Sequence, residues 1–207
     1  EIPEHMRNNP VAFNQMELAR QMATELTDEI RRDNENWPKE PQLVFWIKKA
    51  LGGVAFLPFV SPDIYYAPDS KHGGFGNLDK LFAGVGDEVV REKQRSLRLG
   101  RAEGLAIKGG HNPKIVKAMA RTDYVLSYRI EGGEPVFVER RPRGDDNYNL
   151  LTDSGGRGEA DSPEEILRLE GNDVLTLDAE LAVRLGVGKG IASTVDEIMY
   201  KMDHGRD

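Results

Sequence analysis

Hydrophobic and polar residues follow two rhythms along this chain, and the change of rhythm marks its elements. From Asn14 to Arg32 the apolar positions Phe13, Met16, Ala19, Ala23, Leu26 and Ile30 recur at helical spacing, with a charged opposite face. Asn14 with Glu17 makes a capping-box pattern at its start. Leu43-Val-Phe-Trp-Ile47 is apolar without alternation, which predicts a strand buried on both faces. Gly52-Gly53 then allows a sharp turn, and a small-residue helix is predicted over Val54–Val60. Asp63-Ile-Tyr-Tyr-Ala67 reads as a second core strand, stopped by Pro68. The glycines of Asp69–Asn77 predict a loop.

Beyond this point a long charged helix is expected from about Asp87 to Lys108, with Val89, Val90, Leu97, Leu105 and Ile107 as sparse apolar positions. Gly109-Gly110 ends it, and Asn112-Pro113 opens another helix through Ala120. Tyr124–Glu139 has the pattern of a hairpin around Glu131-Gly-Gly-Glu134. The stretch from Arg140 to Glu165 is weakly patterned and reads as a mobile surface excursion within a single domain, residues 1–207. Val174–Ile198 reads as strand, helix, glycine stop, strand, helix, with Gly186 at a helix C′ position and a capping box at Thr194 and Glu197. Repeated strand–helix order predicts an α/β fold with a mainly parallel central sheet and helices on both faces.

Composition narrows the function only modestly. A chain of 207 residues with 39% hydrophobic and 30% charged content is long enough for one well-packed core. The net charge of −7 and the lack of a basic face argue against a nucleic-acid partner. With no cysteine there are neither disulfides nor thiol catalysis. The four histidines, His5, His72, His111 and His204, lack metal-ligand spacing, and no metal or cofactor is expected. His72, in the glycine-rich stretch, could reach a cleft there, but a surface histidine is the preferred reading. Gly186-Val-Gly-Lys-Gly190 lacks the spacer of a phosphate loop. Asp153-Ser-Gly-Gly156 has no histidine or all-β context to make it a nucleophile loop.

A strand that enters a glycine turn at a helix start is where α/β folds place chemistry, because backbone N–H groups there can hold an oxyanion. The stretch Ala50-Leu-Gly-Gly-Val-Ala-Phe-Leu-Pro-Phe-Val-Ser-Pro-Asp-Ile-Tyr-Tyr-Ala-Pro68 resembles the Ala-Ser-Gly-Gly, helix, Asp-x-Ile-x-Ala-x-Pro segment of the Clp/crotonase superfamily. More narrowly it is similar to the signal-peptide-peptidase A and NfeD-type serine peptidases of the ClpP class. Val174–Ile198 is similar to the ending of the same peptidases, and Gly110-His-Asn112 loosely matches a Gly-Arg-Asn turn in them.

The resemblance implies a Clp/crotonase-like fold, self-association into a homo-oligomer, a peptide or protein ligand, and an extracytoplasmic or membrane-associated setting. It also implies strands ahead of Glu1 and an oxyanion loop near Arg7–Val11, which here lacks the family's Gly-Gly. Family members pair a serine nucleophile with a lysine base. At the serine position this chain has Leu51, or Gly52 if Ile64 sets the register, and neither can attack a carbonyl. Lys93 falls where the base is carried, and Gly52 and Gly53 where the amides are. Gly73, Gly74 and Gly76 belong to the loop beside the cleft. The bland reading of Lys93 is one solvated charge among Arg91–Arg95, and Lys48 and Lys49 read as strand-end surface residues. Of the other hydroxyls, Ser61 lies at the wrong end of the helix and Ser70 is a weak alternative nucleophile. Two classes result. One is a catalytically impaired peptidase relative serving as a binding or assembly module. The other is an enzyme, either a serine endopeptidase with a diverged nucleophile or a crotonase-like acyl-handling protein using the Gly52 and Gly53 amides.

Overall fold

The computed structural model describes residues 15–32, 37–39, 41–74, 86–121, 124–152 and 174–204. Strand β1 (Val44–Leu51) runs parallel to β2 (Asp63–Gly73), with Val44 beside Asp63 and Ile47 beside Tyr66. The far edge of β2 is shared. Its first half pairs in parallel with β7 (Gly190–Ile191), and its second half pairs antiparallel with β6 (Thr176–Asp178). Alternate residues of β2 enter opposite faces. Ile64 and Tyr66 join the main core with Phe56, Phe59, Ile115, Met119 and Leu177, while Tyr65 packs with Ala192 and Ile198 beneath Val44 and Trp46. Burial on both faces is why Leu43–Ile47 shows no alternation. The fold is therefore mixed α/β with a parallel sheet, joined by a separate antiparallel sheet of order β4-β3-β5.

Two local expectations need correction. Strand β2 does not stop before Pro68 but continues to Gly73, so Lys71, His72 and Gly73 are ladder residues and not a loop. Pairing slips from Ile47–Tyr66 to Lys49–Lys71, which leaves Ala67–Ser70 opposite Lys48 alone. Proline lacks the N–H a ladder needs, and a bulge is where a strand tolerates it. The predicted helix over Val54–Val60 is a 3-10 segment that begins earlier, Gly52–Val60, with Pro58 inside it. Only residues 52–62 join two parallel strands, and so tight a return leaves little room for an α-helix.

The helices match their signals more closely. Helix α1 (Gln15–Arg32) lies against the 3-10 segment and places Ala19 and Ala23 in full burial, while Leu26 stays at the surface. Its expected cap Asn14 and the apolar Phe13 lie outside the described residues. Helix α2 (Glu88–Lys108) is capped by the Asp87 carboxylate, which accepts from the Val90 N–H at 2.9 Å. Helix α3 (Pro113–Ala120) is capped by Asn112, which accepts from the Lys114 N–H at 3.0 Å. It sinks Ile115, Val116 and Met119 completely into the core. The hairpin β3 (Ser127–Glu131) and β4 (Glu134–Val138) turns through Gly132 and Gly133, at φ 58° and 90°, as a two-residue primed turn requires.

Of the excursion read over 140–165, residues 141–148 are loop and turn at the surface, and the chain pairs again at Asn149–Leu150. Arg140 bridges Asp146 at 2.7 Å, β5 (Asn149–Leu150) joins β3, and Leu151 and Thr152 are buried. Its remainder, with Asp153–Gly156, lies outside the described residues. Helices α4 (Ala179–Arg184) and α5 (Val195–His204) are the last described helices, with Gly186 at φ 70° between them. At α5 the Thr194 hydroxyl accepts from the Glu197 N–H, while the Glu197 carboxylate reaches back to Ser193 in place of Thr194.

The end of α2 is pressed against the 3-10 segment at Gly109, where a Cβ would stand 1.9 Å from the Phe59 carbonyl oxygen. Gly109→Ala should therefore lower Tm by roughly 5–10 °C, as overpacking against backbone does. Gly100→Ala, in the exposed interior of α2 with nothing within 4 Å, should instead raise stability by roughly 0.5–1 kcal/mol. Thermal melts of both variants check the contrast, and equal melting points would refute it.

Candidate functional site

The turn that closes β1 is built from three close backbone approaches. Leu51 is extended, at φ −117° and ψ 150°, and Gly52 follows at φ 73°. The Gly52 N–H donates to the Gly74 carbonyl at 3.1 Å, and the Gly74 N–H donates to the Leu175 carbonyl at 2.9 Å. Gly73 holds φ 131° with a hypothetical Cβ 2.5 Å from the Leu175 oxygen, so no larger residue fits there. Leu51 and Gly73 are register partners. The structure thus brings Leu51, Gly52, Gly53, Gly73 and Gly74 together at one corner of the sheet. Gly76 lies outside the described residues.

The chemistry available at this corner is limited. The Leu51 side chain is 36% exposed and contributes no polar atom. At Gly52 a Cβ would meet nothing within 4 Å, so the position faces open space. Its amide already has an acceptor in Gly74, so an oxyanion at this turn would have to compete for it. Lys93 stands exposed in the second turn of α2, without the burial that activates a lysine base. The α2 residues that enter the core, Leu99, Ala102 and Ala106, all follow it.

The two serines weighed as replacement nucleophiles, Ser70 and Ser61, are both buried. Ser70 is 1% exposed, and its Oγ has no hydrogen-bond partner among the described residues. It sits inside β2 at the end of the bulge and not on a cleft wall. Ser61 is a splint between strand ends, its Oγ donating to the Leu43 carbonyl and accepting from the Asp63 N–H at 3.0 Å. Asp63, buried at the start of β2, is gripped by the Gln42 amide at 2.5 Å and by the Lys189 ammonium. A depression of about 250 Å³ opens beside these residues, lined by Ile30, Gln42, Val60, Ser61 and Asp63. It lies at the opposite end of the 3-10 segment from Gly52. Among the described residues no three metal-ligating side chains converge.

The main polar feature that sequence reasoning missed is a pair of buried imidazoles. His72, read as a surface histidine, is 0% exposed because the strand continues past Pro68 and turns its side chain inward. Its Nε2–H donates to the Ala55 carbonyl, and its Nδ1 accepts from the Tyr66 hydroxyl at 2.6 Å. His111, in the turn between α2 and α3, donates from Nε2 to the Ser61 carbonyl at 2.7 Å. Both rings contact Phe59, stacked at 5.0 Å and edge-on at 5.2 Å respectively. Burial pushes His72 down to about 4 and lowers His111 as well. Tyr66, likewise buried, is held above the ordinary phenol range. Tyr66 and His72 share the even parity of one strand face, a signal readable only once the strand is known to run through the bulge.

Gly52→Val should cost on the order of 1–3 kcal/mol, because a β-branched residue strains at φ 73° although no atom obstructs it. Gly52→Asn should cost clearly less, since Asn tolerates the left-handed region. Chemical denaturation of the pair checks this, and indistinguishable midpoints would mean that the turn imposes no left-handed constraint. Comparison of the chain with protein-family models, with curated proteins and with solved structures finds no match, so its function has to be read from its own residues.

Proposed function

We propose that this protein is a catalytically impaired relative of the ClpP-class serine peptidases, similar to signal peptide peptidase A and NfeD-type members, and works as a binding or assembly module. One observation carries the reading: the corner between β1 and the 3-10 segment presents Leu51 and Gly52 where such a peptidase needs a hydroxyl. Losing the nucleophile of a serine hydrolase costs on the order of 10⁶-fold in turnover. The exposed Lys93 and the engaged Gly52 amide point the same way. Self-association belongs to this proposal. Val90, Leu97 and Ile107 stand exposed on α2 while Leu99, Ala102 and Ala106 face the core, so the helix keeps apolar side chains outside the packing of the described residues.

Restoration of the hydroxyl tests the reading. The parent should neither degrade casein nor take up a fluorophosphonate probe. Gly52→Ser would place a hydroxyl in open space and Leu51→Ser would place it at the end of the strand. Labelling of one variant alone would identify the register, with Lys93→Ala in the same background reporting on the base. Proteolysis by the unmodified protein that disappears in Ser70→Ala would overturn the proposal. Light scattering at tens of micromolar should show an oligomer, and a monomer would remove the assembly part.

A further inference from the structure

The 3-10 segment Gly52–Val60 is held near both ends by neutral imidazoles from different elements. His72 on β2 bonds the Ala55 carbonyl, and His111 from the α2–α3 turn bonds the Ser61 carbonyl just beyond the other end. The two rings sandwich Phe59, whose side chain is 0% exposed. No carboxylate faces either ring among the described residues. The titratable group facing His72 from its own strand is the Tyr66 hydroxyl, and the one facing it from the α2–α3 turn is His111. Its register partners on β1 and β6 are Ala50 and Leu177. His111 faces the Ser61 carbonyl and the Phe59 ring from the 3-10 side, and His72 from β2. An imidazolium formed here is buried without a counter-charge, and each ring opposes the charging of the other.

The segment itself is the weaker partner in this arrangement. A 3-10 turn has poorer hydrogen-bond geometry than an α-helix, whereas β2 is bonded along both edges. Helix α1 rests on the segment, and within residues 18–30 its fully buried side chains are the small Ala19 and Ala23. We propose that His72 and His111 form an acid-sensitive latch, so that mild acid opens the 3-10 segment, together with α1 and the Gly52 corner, before the rest of the core.

The sign follows from linkage. Both imidazoles titrate lower when folded than when exposed, so the latch is closed above the ordinary histidine value of about 6.5 and weakens as pH falls toward about 4. Opening exposes the rings, and each proton taken up favours the open form up to tenfold per pH unit.

Native-state hydrogen exchange read by mass spectrometry, corrected for intrinsic rates at pH 7, 6 and 5, tests the latch. Peptides covering Gly52–Ser61 should show an opening constant that rises up to about 100-fold between pH 6 and pH 5. Peptides covering α3 should keep an opening constant well below the segment's at every pH, because they open only with the whole core, which exposes the same two rings. His111→Gln keeps a donor for the Ser61 carbonyl but removes one proton, so the segment's dependence should fall to about tenfold per unit. His72→Gln should do the same, and His111→Gln decides alone if that variant does not fold. A pH-independent segment would overturn the latch. So would an unchanged slope in His111→Gln, or exchange of the segment in step with α3, which marks global unfolding.

Discussion

A short parallel return governs this structure. Residues 52–62 must carry the chain from the end of β1 back to the start of β2, and they do so as a 3-10 segment. That choice leaves buried carbonyls needing donors, because a buried backbone oxygen without a partner is costly. The Ala55 and Ser61 carbonyls find theirs in His72 and His111, and the Asp63 N–H finds an acceptor in the Ser61 hydroxyl. A tight connection thus recruits imidazoles from two other elements. It also accounts for the close fit at Gly109, where the end of α2 rests on the Phe59 carbonyl.

The same connection sets the character of the corner at Gly52. A positive φ there starts the return, and the Gly52 N–H is tied to Gly74, which is tied in turn to Leu175. The corner is consequently well defined in backbone and poor in chemistry. Its side chains are a leucine and glycines, and the nearest candidate replacement, Ser70, is sealed inside the bulge of β2. This combination of a precise backbone and no reactive group is the observation on which the proposed function rests.

Polar groups in the core fall into two kinds here. The Asp63 carboxylate is paired with Lys189 and bonded by Gln42, so its charge is compensated. The histidines are compensated only while neutral. A paired carboxylate joins β2 to the chain before β7, and the neutral imidazoles join the 3-10 segment to β2 and to the α2–α3 turn. The two sets of tethers therefore respond differently to protons, although they lie on the same strand or next to it.

Local signals in the sequence determined the elements whose cause is local. Asp87 and Asn112 cap helices through their own side chains, Gly132-Gly133 turns a hairpin, and Leu43–Ile47 announces a strand covered on both faces. The absence of a hydroxyl at positions 51 and 52 is likewise a fact of sequence alone. Tertiary structure decided the rest. Pro68 normally ends a strand, but pairing with β1 and β6 beyond it carries β2 past it by means of a bulge. That continuation turns His72 from an expected surface residue into a buried donor and encloses Ser70. The 3-10 geometry of Gly52–Val60 follows from the distance between two strands, and no residue within the segment encodes that distance. Side-chain periodicity reports which way a residue faces within its own element. Whether that face is then covered depends on partners far away in the chain.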